Sequence, residues 1–364
     1  MDETEYNELR DYILLMLSMK SEGKRVDFDH IADKARRDLG AERDEVEVHL
    51  KKLISNGLVE EVRSKFSASE DGRKSFEERI NDETIEKNLR KINEPWVTVY
   101  KAKNYYPQVA DTIIEFCKGR HVGFYTLFTE KRFFRRDFKG RKITISSPED
   151  LLFYVNMHYI DVIPCVHRIN MDRPDWLVAD IDAGPKVSWE ITREVTKQVH
   201  SVFEEFDLNP ALKFSGSRGF QIWSFIDDFS LPSEYKPIEL LGAREINFFT
   251  LFSDFVRVIQ RKVDKILPGR TVSEVSRKKE REDRVLIDPS SMKPMGLVRA
   301  PYSIHSKTGL ASMPLSLEEL DSFEPEKADL KDVLNRYGEK GNEFKIKKAS
   351  PQKIIDELLG FLLS

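Results

Sequence analysis

The chain has 364 residues, 40% apolar and 34% charged, with 23 phenylalanines, enough for two domains or one large domain with an appendage. Two cysteines exclude a disulfide framework and a Cys-rich zinc ribbon. The apolar run at residues 12–19 is too short to span a bilayer and lacks the flanks of a signal peptide, so a soluble, cytoplasmic protein with no membrane partner is expected.

Net charge is only −4, with 18 Lys and Arg against 24 Asp and Glu in residues 1–95 and 41 against 39 in the rest, so local clustering says more than the total. Helical spacing of Tyr12, Leu15, Met16 and Met19 predicts a first helix. A second opens at Asp29 and stops at Gly40. A third covers 43–55, with Val46, Leu50 and Leu53 on one face and Asn56-Gly57 closing it. Two short strands and a further helix follow. Residues 1–80 thus resemble a winged-helix domain. Its would-be recognition helix carries Glu42, Asp44, Glu45 and Glu47, which repel phosphate, so protein docking is expected rather than sequence-specific DNA reading.

Residues 81–95 are polar and read as a linker or connecting helix. Residues 96–322 alternate helices (107–118, 188–206, 244–266) with β-type runs (176–182, 220–226, 284–288), which predicts an α+β fold with a mixed sheet. Residues 323–364 read as a tail ending in a helix, which either caps the domain or binds a partner.

Four constellations carry chemistry. In the strand Trp176-Leu177-Val178-Ala179-Asp180-Ile181-Asp182, alternation puts Asp180 and Asp182 on one face. Two close carboxylates resist joint ionisation, and Mg²⁺ or Mn²⁺ removes the conflict; a strand end with two solvated acids is the plainer reading. In Lys213-Phe214-Ser215-Gly216-Ser217-Arg218-Gly219-Phe220-Gln221, two glycines allow a tight turn with exposed N–H groups. Ser215 and Arg218 there offer phosphate donors, although an ordinary hairpin turn has the same glycines. Asp288 ends an apolar strand and could supply a third carboxylate. Arg299, His305 and Lys307, within nine residues, could grip a triphosphate, or could be a charge-paired surface loop. Lys131, Arg132, Arg135 and Arg136, with Lys139, Arg141 and Lys142, interleave with Phe133, Phe134 and Phe138. That pattern suits a nucleic-acid track or a charged hairpin over buried rings.

Together these segments resemble the archaeo-eukaryotic primase superfamily, which shows a D-x-D strand, an S-G-x-[RK]-G-x-H turn and strand, and a later strand-end Asp, in the order found here over residues 176–309. "YYPQVADTIIEFCKGR" and "DRPDWLVADIDAG" are most similar to the polymerase domain of bacterial ligase D and its archaeal end-joining relatives. "RAPYSIHSKTGLASMPL" is closer to the primase small subunit. The resemblance implies that Asp180, Asp182 and Asp288 are catalytic carboxylates binding two Mg²⁺ or Mn²⁺ ions. It implies that Ser215, Arg218, Arg299 and His305 hold the phosphates of an NTP or dNTP. Gln221 stands where the family has His; its amide can bond a phosphate oxygen but carries no charge. The zinc element of many replicative small subunits is missing.

The expected activity is metal-dependent extension, and possible initiation, of RNA or DNA strands on a DNA template, in replication or repair. A primase large subunit or a DNA ligase is the expected partner. A catalytically weakened relative that binds DNA or protein within a replication or repair complex is the alternative. A nucleotide-sugar transferase also uses Asp-x-Asp with a metal, but explains neither the Ser215–Gly219 turn nor the Arg299, His305 and Lys307 cluster.

Overall fold

The structure is a computed structural model and describes residues 6–20, 23–128, 131–238, 245–273 and 282–363. The chain divides into two compact units, Met1–Tyr105 with Leu127–Phe133, and Tyr106–Thr126 with Phe134–Ser364.

The first unit opens with α1 (Glu8–Ser18), β1 (Val26–Asp27), α2 (Phe28–Leu39) and α3 (Arg43–Ser55), continues as the hairpin β2 (Val59–Val62) and β3 (Lys65–Ala68), and adds α4 (Glu70–Ile80). Side chains start these helices. The Asp27 carboxylate accepts from the His30 N–H, and Ser69 Oγ from Gly72 N–H. Gly40, at φ 70°, ends α2 in the left-handed conformation that costs glycine nothing. β1 pairs with β3, giving a three-stranded sheet in the order β1-β3-β2. Tyr12, Leu15, Ile31, Val46, Leu50 and Phe76 fill the core between helices and sheet.

Of the two readings of the polar stretch at 81–95, linker or connecting helix, the structure shows the helix. α5 (Glu83–Cys117) breaks only at Asn93, at φ −153° and ψ 75°. Pro95 removes a helical N–H, and Asn93 Oδ1 accepts from Trp96 N–H at 3.3 Å, so the helix stops and restarts with its own cap.

Next come β4 (Val122–Phe128), β5 (Lys131–Arg135), β6 (Asp137–Phe138), β7 (Arg141–Lys142), α6 (Pro148–Asn156) and β8 (Tyr159–Pro164). β4 pairs antiparallel with β8. The main sheet follows with β9 (Trp176–Ala183), α7 (Trp189–Glu205), β10 (Ala211–Phe214), β11 (Gly219–Ile226), α8 (Phe248–Ile266), β12 (Thr271–Val272), β13 (Val285–Asp288) and β14 (Pro314–Leu315). Its order is β12-β13-β9-β11-β10-β14, antiparallel except for β12 with β13. Alternation sorts its side chains. Leu177, Ile181, Phe220 and Phe214 take one face, where Trp189 of α7 packs edge-on to Phe220 at 5.6 Å. Trp176, Val178, Asp180, Asp182, Gln221 and Trp223 take the other, apolar at one end and polar at the other.

The residues read as a tail belong to the second unit. α9 (Leu330–Lys340) leads to Phe344, which is 2% exposed and lies 5.5 Å from Trp223 and 5.8 Å from Phe116, ring to ring. β15 (Lys348–Ala349) then pairs parallel with β11, and α10 (Gln352–Leu363) packs on α8. No described helix is long and apolar enough to cross a membrane.

Candidate active site

Strand register brings the D-x-D acids to their neighbours. Asp180 lies directly opposite Asp288 of β13 on one side and Gln221 of β11 on the other, and Gln221 lies opposite Lys213 of β10. One row across four strands therefore reads acid, acid, amide, amine. Gly219 lies opposite Asp182, and a Cβ there would stand 1.8 Å from the Ile181 carbonyl oxygen. Only glycine lets the turn come this close to the acidic strand.

Burial, then the Asp288 and Asp182 carboxylates, raise Asp180 to about 6, while a Gln221 hydrogen bond and Lys213 oppose the rise. Asp182 lies 3.5 Å from the Arg218 guanidinium. Asp288 accepts from Ser290 N–H and Ser290 Oγ–H, both at 2.8 Å. Among the described residues no three acids, histidines or cysteines stand close enough together to hold a metal ion as they are placed. The donor set nevertheless fits Mg²⁺ or Mn²⁺: three carboxylates share one face and one end of the sheet, and the repulsion on Asp180 is what a bound cation relieves.

The turn after β10 closes with Ser215 N–H donating to Gly219 C=O at 2.9 Å. Ser215 is half-buried, and Arg218 is 53% exposed. Arg299 holds this turn from behind. It donates to Asp161 of β8 through Nε at 2.7 Å and Nη2 at 2.9 Å, and to the Ser215 carbonyl through Nη1 at 2.7 Å. Burial alone would raise the Asp161 carboxyl, but Arg299, then His305 and the Ser306 N–H, hold it below the usual carboxylate range. Gly216, at φ 94°, packs so close to His305 that a Cβ would meet the His305 Cβ at 2.7 Å. Thr308 Oγ1–H donates to the Gly216 carbonyl at 2.5 Å, locking the 299–309 segment to the turn. His305 Nδ1 accepts from the Lys307 and Thr308 N–H groups at 3.3 Å, which leaves the proton of a neutral ring on Nε2. Lys307 is exposed.

The structure thus brings Asp180, Asp182, Asp288, Ser215, Arg218, Gln221, Arg299 and His305 together. It spends three donors of Arg299 on the scaffold, and it buries Gln221, at 4% exposure, with Oε1 accepting from Lys213 Nζ at 2.7 Å and Trp223 Nε1 at 3.3 Å. The Gln221 amide oxygen therefore faces protein donors rather than solvent. Two residues escaped the sequence reading, Lys213 and Asp161, both at 0% exposure. Each is a lone charge inside an apolar strand, and such a charge is rarely buried without partners; that was the available signal.

The basic run splits. Arg132 and Arg135 are exposed, as are Phe133 at 40% and Phe134 at 37%, and Arg136 is half-buried. Phe138 instead packs on Phe153, Tyr154 and Tyr159. The Lys131 side chain lies outside the described residues.

Known proteins resemble this chain. At 28% identity the chain is similar to the multifunctional non-homologous end joining protein LigD of Pseudomonas aeruginosa, over 43% of this chain and 16% of that one. At the same identity it is similar to the DNA primase small subunit PriS of Pyrobaculum aerophilum, over 42% of this chain and 56% of that one. An uncharacterised protein of Methanocaldococcus jannaschii matches at 27% over 42% of this chain and 30% of its own length. The chain therefore spans between about a sixth and just over half of these curated relatives. Among solved structures, the polymerase domain of Mycobacterium tuberculosis ligase D in complex with DNA superposes with a TM-score of 0.55 at 18% identity, over 66% of this chain and 89% of that one, and so shares the fold. The family model of the LigD primase-polymerase domain matches residues 101–344, two thirds of the chain, and the protein belongs to that family, within the archaeo-eukaryotic primase superfamily.

Proposed function

We propose that the protein is a metal-dependent nucleotidyltransferase of the primase-polymerase type that extends a primer strand on a DNA template. The observation that carries this reading is the register of β13, β9 and β11, which sets Asp288 beside Asp180, with Asp182 two residues on and beside the glycine turn. Bound Mg²⁺ or Mn²⁺ would supply charge neutralisation and lower the pKa of a primer 3′-hydroxyl. Asp180, Asp182 and Asp288 are the residues to hold it. Arg218, exposed beside Asp182, and the backbone of the 215–219 turn would orient a triphosphate. His305 packs against Gly216 of the same turn, the exposed Lys307 would add a charge for phosphate, and Arg299 acts mainly by holding Ser215 in place. The exposed Arg132, Phe133, Phe134 and Arg135 suit a strand of nucleic acid, with the guanidinium groups for phosphate and the rings for stacking.

DNA binding is named for the mycobacterial structure, and end joining for the Pseudomonas relative. Both are part of the function proposed for this chain, with gap filling in repair ahead of priming. The order helix, strand, two helices and hairpin in the first unit supports a winged-helix reading, and the carboxylates opening α3 favour a protein partner over DNA.

Primer extension on 5′-phosphorylated gapped DNA with Mn²⁺, in separate NTP and dNTP pools, tests the reading. Extension by the wild type that disappears in Asp180→Ala and Asp182→Ala is expected. No extension on gapped or unprimed DNA, with DNA still bound, would support the non-catalytic alternative instead.

A further inference from the structure

The polar end of the sheet holds a network that neither metal nor nucleotide binding requires directly. Lys213 is 0% exposed, and its Nζ donates to Gln221 Oε1 at 2.7 Å and to Ser312 Oγ at 2.6 Å. The Ser312 hydroxyl passes its own hydrogen on to the Phe214 carbonyl at 2.9 Å, so each member has a partner. Trp223 Nε1 supplies the second hydrogen bond to Gln221 Oε1, at 3.3 Å. With its oxygen taken by two donors, the Gln221 amide must turn its NH₂ the other way, and Asp180 is the residue directly opposite it in register on β9. Burying a lysine amine in a strand is costly, and an apolar residue would pack there without that cost.

We propose that Lys213 and Gln221 form a two-part positioning clamp: the lysine fixes the amide, and the amide fixes the Asp180 carboxylate in the orientation that binds metal. The clamp rests on the metal-site reading above. It also gives the departure at Gln221 a physical reason. The position needs a group that accepts on one side and donates on the other, and a carboxamide does both. A neutral imidazole can as well, whereas a carboxylate can only accept. Because the two residues act in series, removing either should release Asp180, and removing both should do little more.

The test is the Mn²⁺ affinity of the nucleotide-free protein, by calorimetry, alongside kcat and the KM for primed template. Lys213→Met and Gln221→Met are each expected to weaken Mn²⁺ binding by about tenfold or more, the range for removing partners that orient metal ligands, and to lower kcat with an unchanged KM for DNA. The double variant should fall within about twofold of the weaker single, and Gln221→His within about threefold of wild type. Gln221→Glu keeps an acceptor for Lys213 but sets a carboxylate against Asp180, and should lose as much as Gln221→Met. It also decides the matter if Lys213→Met does not fold. Wild-type affinity in folded Lys213→Met or Gln221→Glu, or losses that multiply in the double variant, would overturn the clamp. A wild type that binds no Mn²⁺ would overturn the metal-site reading itself, so the two failures are told apart.

Discussion

Asp180 titrates near 6 because burial and two neighbouring carboxylates disfavour its charge, whereas an unfolded aspartate titrates near 3.9. A carboxyl raised on folding leaves the metal-free protein most stable below the unfolded value, and stability falls as pH rises from about 4 to about 6. Asp180→Asn removes that penalty. The metal-free variant should be more stable than wild type by about 3 kcal/mol at pH 8, with the gain vanishing towards pH 4, while transfer activity is lost. Urea unfolding at the two pH values checks this, and a variant less stable than wild type at pH 8 would contradict it. The two acids of the D-x-D strand were legible in the sequence, since alternation alone puts them on one face. The environment that tunes Asp180 was not. Lys213 lies eight residues from Gln221 and 99 from Ser312, and only the fold of β10, β11 and the strand-like run before β14 joins them.

Gly219 shows how an element, rather than a side chain, builds the site. Its α-hydrogen faces the Ile181 backbone, and an added methyl would stand 1.8 Å from that carbonyl, so β11 would have to part from β9 at Asp182. Gly219→Ala should cost about 3 kcal/mol or more and disable the site, read as a fall in thermal midpoint together with lost extension; a midpoint within 1–2 °C of wild type would refute the argument. The long elements were legible: α7 from its 3.6-residue stripe, α8 from its run of Phe and Val, and β9, β11 and β13 to within a residue of the predicted limits. The restart of α5 at Asn93 was not, because polar residues hide helical periodicity and Asn-x-Pro can as well open a loop. Two-residue strands such as β1 and β15 have no period to detect. The Asp161–Arg299 pair joins β8 to a turn 54 residues away, and such pairing has no local signature.

At the scale of the molecule, the family match ends at residue 344, but the second unit continues. β15 extends the sheet beside β11, and Ile354 and Leu358 of α10 are at 0% exposure. Removing residues 345–364 should therefore lower the thermal midpoint by on the order of 10 °C, through the loss of several buried side chains. Calorimetry on the shortened chain checks this, and an unchanged midpoint would make the segment an appendage after all. The family was legible because three motifs fall in the right order; the role of residues 323–364 was not, since an amphipathic helix reads alike whether it covers its own chain or another.

The central claim is that Asp180, Asp182 and Asp288 together support metal-dependent nucleotidyl transfer. The most direct measurement is single-nucleotide incorporation into a primed template by the wild type and by Asp288→Asn, each with Mg²⁺, with Mn²⁺ and with chelator. Incorporation that needs a divalent ion and falls by about a hundredfold or more in the folded variant is the predicted result. Incorporation that persists in chelator, or that Asp288→Asn leaves unchanged, would contradict the account.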